Sequence, residues 1–246
     1  MATDNAPAAP AAAPTPRQRY RDQVRAEIKA AALEQIRAGG APALSLNAVA
    51  KQLGLTGPAL YKYFRKRDDL LTELICDGYD AAAAALRAAA DRVGDAPPRR
   101  QLLALGEAFR AWAVEHPHVY QLLAGTPSPG YQAPPETVDR ARAVLGPLLA
   151  VLGQGTPRGA ALDLRAEMRF WLNSDPAVER WVKGWAPGVD AATALAATVT
   201  AWARLHGVVS LEVQGLFTGM GHRPGTLLTA ELEALADQLG LAGPKR

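Results

Sequence analysis

The chain has 246 residues, of which 49% are hydrophobic and 21% charged, the composition of an ordinary globular protein. Its one cysteine, Cys76, excludes an internal disulfide and a cysteine-based zinc site. The chain contains no run of about 18 uncharged apolar residues, so the sequence predicts no membrane span. The N-terminus also lacks the basic and apolar regions of a secretory signal, so we expect a cytoplasmic protein.

The net charge of +3 is divided unevenly along the chain. The segment from Arg17 to Arg67 holds 11 Lys and Arg against three acidic residues, so it carries +8 and the remainder carries −5. A basic head on an acidic body suggests a polyanionic partner for the head. A charge run is usually just a solvated face, and on the charge alone that interpretation would be preferred, so the motif within the segment has to decide.

Residues 1–16 contain seven Ala and four Pro, have nothing to bury, and are predicted to form a disordered tail. The rest of the chain is mainly Ala, Leu, Arg and Glu at helical spacing, without the alternation typical of strands. The predicted fold class is therefore all-α.

Two helices open the basic segment. The first is predicted from about residue 17 to residue 38, where the pair Gly39-Gly40 stops it. The second follows Ser45, a good N-cap, and ends at Gly54. One of its faces is expected to be buried, because its apolar residues recur at helical spacing: Leu46, Val49, Ala50 and Leu53.

A third short helix follows after a tight glycine turn. Thr56 caps it, and its proline lies in the first turn, where the missing N–H has no helical partner. With Leu60 and Phe64 turned inward, the two tyrosines of this helix cannot also share the buried face. Residues 45–64 are therefore predicted to form a helix-turn-helix, whose second helix enters the major groove of DNA.

The pattern divides the chain into a DNA-binding domain at 17–67, a connecting helix within 68–95 and a helical body at 96–246. A Pro- and Gly-rich loop is expected at 125–135. The further helices are predicted at about 68–93, 97–116, 117–124, 136–152, 157–174, 176–185, 189–217 and 226–240.

The segment Leu46–Leu71, LNAVAKQLGLTGPALYKYFRKRDDLL, resembles the DNA-binding domain of TetR-type (TetR/AcrR) transcriptional regulators. The shared pattern is an Ala-containing helix, a Gly turn, Thr, the run Leu-Tyr-Lys-Tyr-Phe and a basic residue before an acidic pair. The resemblance extends roughly over residues 20 to 80. It implies an N-terminal three-helix DNA-binding domain followed by a larger helical domain for ligand binding and dimerisation.

The resemblance also implies which residues contact DNA. Hydroxyls would cap helices and touch phosphate, tyrosines would contact the backbone, and the recognition helix would approach base edges. Because its first turn offers few donors, readout would lean on thymine methyl groups, Lys62 and DNA shape. The implied residues are Ser45, Thr56, Gly57, Pro58, Ala59, Tyr61, Lys62, Tyr63 and Arg67, the last where the family usually has a phosphate-binding lysine.

A second resemblance lies near the C-terminus. Trp202-Ala-Arg-Leu-His206-Gly207 is similar to a Trp-x-x-x-His-Gly signature of one TetR subgroup, in which this helix packs in the dimer interface. A glycine within a helix costs about 1 kcal/mol relative to Ala, and its usual benefit is close approach of another helix. The predicted interface residues are Val199, Leu205, Gly207, Val208 and Leu211.

The family further implies a ligand cavity in the helical body, where all the tryptophans and histidines lie. The same large residues could simply be core, and that alternative stays open. The pair His116 and His118 could bind a metal, but Pro117 as a helix opener explains the local sequence better. The residues expected to line the cavity are Trp112, His116, Tyr120, Met168, Phe170, Trp171 and Trp185.

These observations predict a homodimeric, sequence-specific DNA-binding regulator, a repressor that a small molecule releases from a pseudo-palindromic operator. No cofactor, metal or membrane is expected. Two alternatives remain: a non-specific DNA-binding protein, and an enzyme that uses the C-terminal cavity. The sequence disfavours an enzyme, because it has no phosphate-binding Gly-rich loop, metal cluster or Gly-x-Ser-x-Gly motif.

Overall fold

The structure is a computed structural model that describes residues 15–125, 130–156 and 161–243. Within these ranges it contains eleven α-helices, one 3₁₀ turn and no strand, which confirms the all-α prediction. The helices are α1 (Pro16–Gly39), α2 (Leu46–Gln52), α3 (Gly57–Tyr61), α4 (Arg67–Val93), α5 (Pro98–Glu115), α6 (Pro117–Ala124), α7 (Glu136–Leu152), α8 (Ala161–Ser174), α9 (Pro176–Trp185), α10 (Ala191–Val213) and α11 (Pro224–Leu239).

The start of α1 corrects the predicted tail. Residues 1–14 lie outside the described residues, but Thr15 and Pro16 belong to the helix start. The Thr15 hydroxyl accepts from the Gln18 N–H at 3.2 Å, and the Gln18 side chain accepts from the Thr15 N–H at 2.8 Å. This reciprocal capping box, followed by proline at the first helical position, is a helix-start signal. The predicted tail, which was based on Ala and Pro content, did not take it into account.

Two other predicted helices are too long. The recognition helix α3 ends at Tyr61 rather than at Phe64, because the chain tightens into i→i−3 bonds from the N–H groups of Lys62 and Tyr63. Helix α10 ends at Val213 rather than near residue 217, and glycine turns follow it. Parts of two further predictions, residues 126–129 of the loop and 157–160 of α8, lie outside the described residues.

Contacts within the chain define two compact units, one up to Leu70 and one from Leu71 onward. In the first unit, α2 packs against both α1 and α3, and Leu60 and Phe64 are each only 1% exposed. The Arg25 guanidinium lies 4.4 Å from the centre of the Phe64 ring and donates to the Tyr63 carbonyl at 3.2 Å. These contacts fix the end of the recognition helix on α1.

The second unit is built around α10, which packs against α5, α6, α7, α8, α9 and α11. By length and composition α10 could cross a membrane, since its most apolar window has a mean hydropathy of 1.2. The sequence analysis did not identify this helix as a candidate span. Half of that window is buried inside the protein, as expected for the central helix of a bundle.

Candidate functional site

The helix-turn-helix is held by two side-chain caps and one glycine turn. The Ser45 hydroxyl accepts from the Ala48 N–H at 3.4 Å, and the Thr56 hydroxyl accepts from the Ala59 N–H at 3.3 Å. Between the helices, Gly54 has a φ of +66°, a conformation that residues with a Cβ rarely adopt. The tight turn therefore depends on glycine at this position.

The recognition helix presents its remaining side chains outward. Tyr61 at the end of the helix is 45% exposed, Lys62 directly after it is exposed, and Tyr63, two residues beyond the helix, is half-buried. Exposed Lys51, Arg65 and Lys66 lie nearby in the sequence and add positive charge to this unit. The arrangement suits a helix that enters a groove flanked by phosphates, so the DNA-binding residues implied by the resemblance remain a consistent prediction.

Arg67 has a different environment from the one that the resemblance implies. Its Nε donates to the Leu44 carbonyl at 3.0 Å and its Nη2 to the Ala41 carbonyl at 2.5 Å. Its Nη1 lies 3.4 Å from the Asp68 carboxylate. The guanidinium thus ties the turn before α2 to the start of α4. Arg67 therefore has a positioning role that the resemblance did not imply, and its phosphate contact stays a prediction.

The second unit contains a cavity of 380 Å³ that is partly open to solvent. Of the seven predicted cavity residues, Trp112 and Tyr120 line it. His116 does not, but it caps the junction of α5 and α6, with its ring 6.3 Å from that of Trp112. The lining consists of Tyr79 and Ala82 of α4, Phe109 and Trp112 of α5, Tyr120, Leu123 and Ala124 of α6, Ala141, Val144 and Leu145 of α7, and Trp202 and His206 of α10.

The other four predicted cavity residues lie elsewhere, which corrects that expectation. Met168 and Trp185 pack on the smaller core formed by α7, α8, α9 and α10, where Trp185 covers Gly146. Phe170 and Trp171 of α8 are 76% and 41% exposed. Aromatic composition alone gave no means to separate core, cavity and surface positions.

Sequence reasoning missed Trp202 and His206 as cavity residues, although the Trp-x-x-x-His spacing contained the signal. Residues four apart share a helix face, and the two rings lie 4.2 Å apart in a T-shaped arrangement. The Tyr120 hydroxyl lies 2.9 Å from His206 Nδ1, and the two rings stack at 5.5 Å. One cluster of aromatic side chains therefore joins α6 to α10.

The titratable groups of this cluster are neutral at pH 7. Burial lowers the pKa of His206 to about 4 and raises the pKa of Tyr120 to about 12. Burial also raises the pKa of Tyr79 above its ordinary value. A neutral imidazole has one donor and one acceptor nitrogen, so Nδ1 either accepts the Tyr120 hydroxyl proton or donates its own to the hydroxyl oxygen.

The predicted dimer residues divide into two groups. Leu205 and Val208 are buried in the core of their own unit, so we correct their expected place in an interface. Val199, Gly207 and Leu211 are exposed, and an added Cβ at Gly207 would meet no atom within 4 Å. No group of three or more metal-ligating residues occurs among the described residues, the His116 region included.

Comparison with known proteins gives the family. Residues 28–74 match the bacterial regulatory proteins of the tetR family, and residues 102–235 match the tetracyclin repressor-like C-terminal domain. The HTH-type transcriptional regulator Rv1816 of Mycobacterium tuberculosis is 35% identical over 221 residues, covering 87% of this chain and 92% of that protein. The crystal structure of the regulatory protein SCO4313 is 45% identical, with a TM-score of 0.75 over 91% of this chain and 100% of the other.

A more distant structure shares the fold. FadR of Bacillus subtilis, in complex with stearoyl-CoA, is 16% identical with a TM-score of 0.53 over 87% of this chain and 98% of that one. Together, the helix-turn-helix and the two family matches define a DNA-binding transcriptional regulator. The chain belongs to the TetR family.

The environment of Arg67 generates a test that separates structure from DNA contact. Arg67→Ala leaves two buried carbonyls without a charged donor, so it should lower the free energy of unfolding by about 1 to 3 kcal/mol. Urea unfolding measures this, with Lys66→Ala, at an exposed neighbouring position, as the control. A variant of unchanged stability with weakened DNA binding would instead support the phosphate role.

The buried imidazole generates a second test. Because the folded protein holds the pKa of His206 near 4 against 6.5 ordinarily, the unfolded chain binds the proton more readily between these pH values. Stability should therefore fall as the pH drops through this window, with His206 contributing about 1 to 2 kcal/mol between pH 7 and pH 5.

In His206→Gln this part of the pH dependence should disappear, as measured by urea unfolding at the two pH values. The control is His222→Gln, at an exposed histidine outside the cavity, and it should keep the pH dependence of the parent. Equal pH dependence in His206→Gln and the parent would contradict the assignment.

Proposed function

We propose that this regulator is a cytoplasmic, homodimeric repressor that binds an inverted-repeat operator and leaves it when a small uncharged molecule occupies the cavity of its second unit. The observation that carries the proposal is the pairing of an outward-facing recognition helix with a separate aromatic cavity in one chain. The stearoyl-CoA complex of FadR, a protein of the same fold, supports the idea that this architecture accommodates ligands.

Helix α4 is the covalent link between the two functions. It begins at Arg67, whose guanidinium holds the turn before α2, and further along it supplies Tyr79 and Ala82 to the cavity wall. A ligand releases the operator only if it binds more tightly to a dimer whose half-site spacing does not fit. We propose that a ligand makes this difference by changing the position of α4.

We propose that the dimer forms through α8 and α10. The residues Val199, Ala203, Gly207 and Leu211 are four apart and all exposed, so they form one stripe along α10. Helix α8 packs against α10 and exposes Leu162, Phe170 and Trp171. Such large apolar side chains on neighbouring helices are typical of a surface that another protein covers.

The first experiment is selection of bound sequences from random double-stranded DNA at near-physiological salt. A specific regulator should recover an inverted repeat with half-sites about one helical turn (~34 Å) or somewhat more apart. Recovery of no consensus would favour the non-specific alternative and contradict the proposed function.

With that operator in hand, Lys62→Ala and Tyr63→Phe should each weaken binding at least about fivefold, because each removes a hydrogen-bonding group from the proposed interface. Thermal unfolding should change little, since Lys62 is exposed and Tyr63→Phe keeps the ring. Arg87→Ala, which removes a positive charge from an exposed position in the second unit, is the matched control. Parental affinity in both the Lys62 and the Tyr63 variant would contradict the placement of the interface.

Two glycines provide a matched test of the dimer surface. An added Cβ at Gly207 of α10 or at Gly184 of α9 meets no atom within 4 Å of the same chain, and both residues are exposed. Gly207→Leu should therefore fold and yet weaken self-association, because a leucine would hold the partner helix away. Gly184→Leu should dimerise like the parent. Sedimentation velocity measures both, and equal dimerisation by the two variants would rule out the stripe.

A further inference from the structure

We propose that the cavity is built for an uncharged, flat aromatic molecule with one hydrogen-bond acceptor, and that the indole N–H of Trp112 donates to that acceptor. The inference rests on the proposed function, since it assigns a chemistry to the effector site. Three features of the cavity carry it: its aromatic walls, the absence of charge in its described lining, and a buried donor without an acceptor.

The walls are aromatic. The Phe109 ring lies 5.1 Å from that of Trp202 and 6.1 Å from those of Trp112 and Tyr120, in tilted or edge-to-face arrangements. Rings packed in this way present both faces and edges, which suit a planar aromatic guest. The volume of 380 Å³ is near the lower end for ligand pockets, about 300 to 1,000 Å³, and favours a molecule of two or three rings.

The described lining carries no Asp, Glu, Lys or Arg. Its titratable groups, Tyr79, Tyr120 and His206, are neutral at pH 7, because burial shifts the pKa of each towards the uncharged form. A carboxylate, phosphate or ammonium group placed here would lose its hydration without gaining a partner of opposite charge. The cavity therefore selects against charged ligands.

The buried donor is specific. Among the described residues, only two buried side-chain nitrogen or oxygen atoms have no hydrogen-bond partner, Arg99 Nε and Trp112 Nε1. Arg99 is satisfied through its other nitrogens, which bind Glu233 and Asp237, whereas Nε1 is the only donor of the indole. The Tyr120 hydroxyl and His206 Nδ1 already bind each other. Nε1 itself is fully buried in this structure, so the inference includes a turn of the Trp112 ring that brings this nitrogen to the cavity surface. A ligand acceptor that meets it there would satisfy the donor that folding leaves unpaired.

Two molecules of nearly identical shape test the inference on the full chain without DNA. 9-Fluorenone carries a carbonyl acceptor on the planar three-ring skeleton of fluorene, which has no acceptor. Equilibrium dialysis should give a dissociation constant for fluorenone about five- to tenfold lower than that for fluorene. The charged relatives 9-fluorenone-2-carboxylate and 10-methylacridinium should bind at least tenfold more weakly than fluorenone.

Trp112→Phe should remove the preference for fluorenone and leave the affinity for fluorene within about twofold. The control is Trp181→Phe, since the Trp181 indole donates to the Arg142 carbonyl at 3.2 Å and does not line this cavity. That variant should keep the preference. Circular dichroism checks that each variant is folded, and the comparison of the two probes on the parent protein does not depend on any variant.

Equal affinities of the parent for fluorene and fluorenone, tighter binding of either charged relative, or no measurable fluorenone binding at its solubility limit would each overturn the inference. Failure of the proposed function has a different signature. If fluorenone binds with the expected preference but leaves affinity for the selected operator unchanged, the cavity chemistry stands and the release mechanism fails.

Discussion

The burial of α10 is the constraint on which the C-terminal unit depends. Its sequence is too apolar for a solvent-facing helix, so six other helices pack against it, and the protein interior buries half of its most apolar window. Because the neighbouring helices cover some faces of α10 completely and others loosely, the residues of this one helix lie in three different environments. Leu205 and Val208 lie in the core, Trp202 and His206 line the cavity, and a stripe ending at Leu211 remains exposed.

The constraint on the N-terminal unit is the length of its recognition helix. A helix of five residues has too few backbone hydrogen bonds to be stable alone. Tertiary contacts replace them: Leu60 and Phe64 are buried, and Arg25 covers the Phe64 ring and binds the carbonyl of Tyr63. Arg67 likewise binds backbone carbonyls, those of the turn before α2. Several arginines in this basic segment therefore have structural contacts, and the net charge of +8 overstates what is available to phosphate.

The sequence predicted the helix-turn-helix well because its determinants are local. The caps Ser45 and Thr56, the glycine turn and the inward pair Leu60 and Phe64 depend on neighbours a few residues away. The cavity was harder to predict from the sequence, because its walls come from five helices. A tryptophan also has the same local sequence pattern in a core, a cavity or an interface. Trp185 packs against Gly146 and Phe170 is exposed for reasons of long-range packing that no local spacing encodes.

The arrangement of α10 also bears on how a ligand could act at a distance. Trp202 and His206 face the cavity, while Ala203 and Gly207, the next residue in each case, belong to the exposed stripe. If the partner helix packs on that stripe, ligand and partner contact adjacent faces of the same two helical turns. Coupling then requires only a small shift of one helix that both bind, and no extended relay of side chains through the core. A neutral aromatic cluster suits this role, because its rings can repack around a guest without separating buried charges.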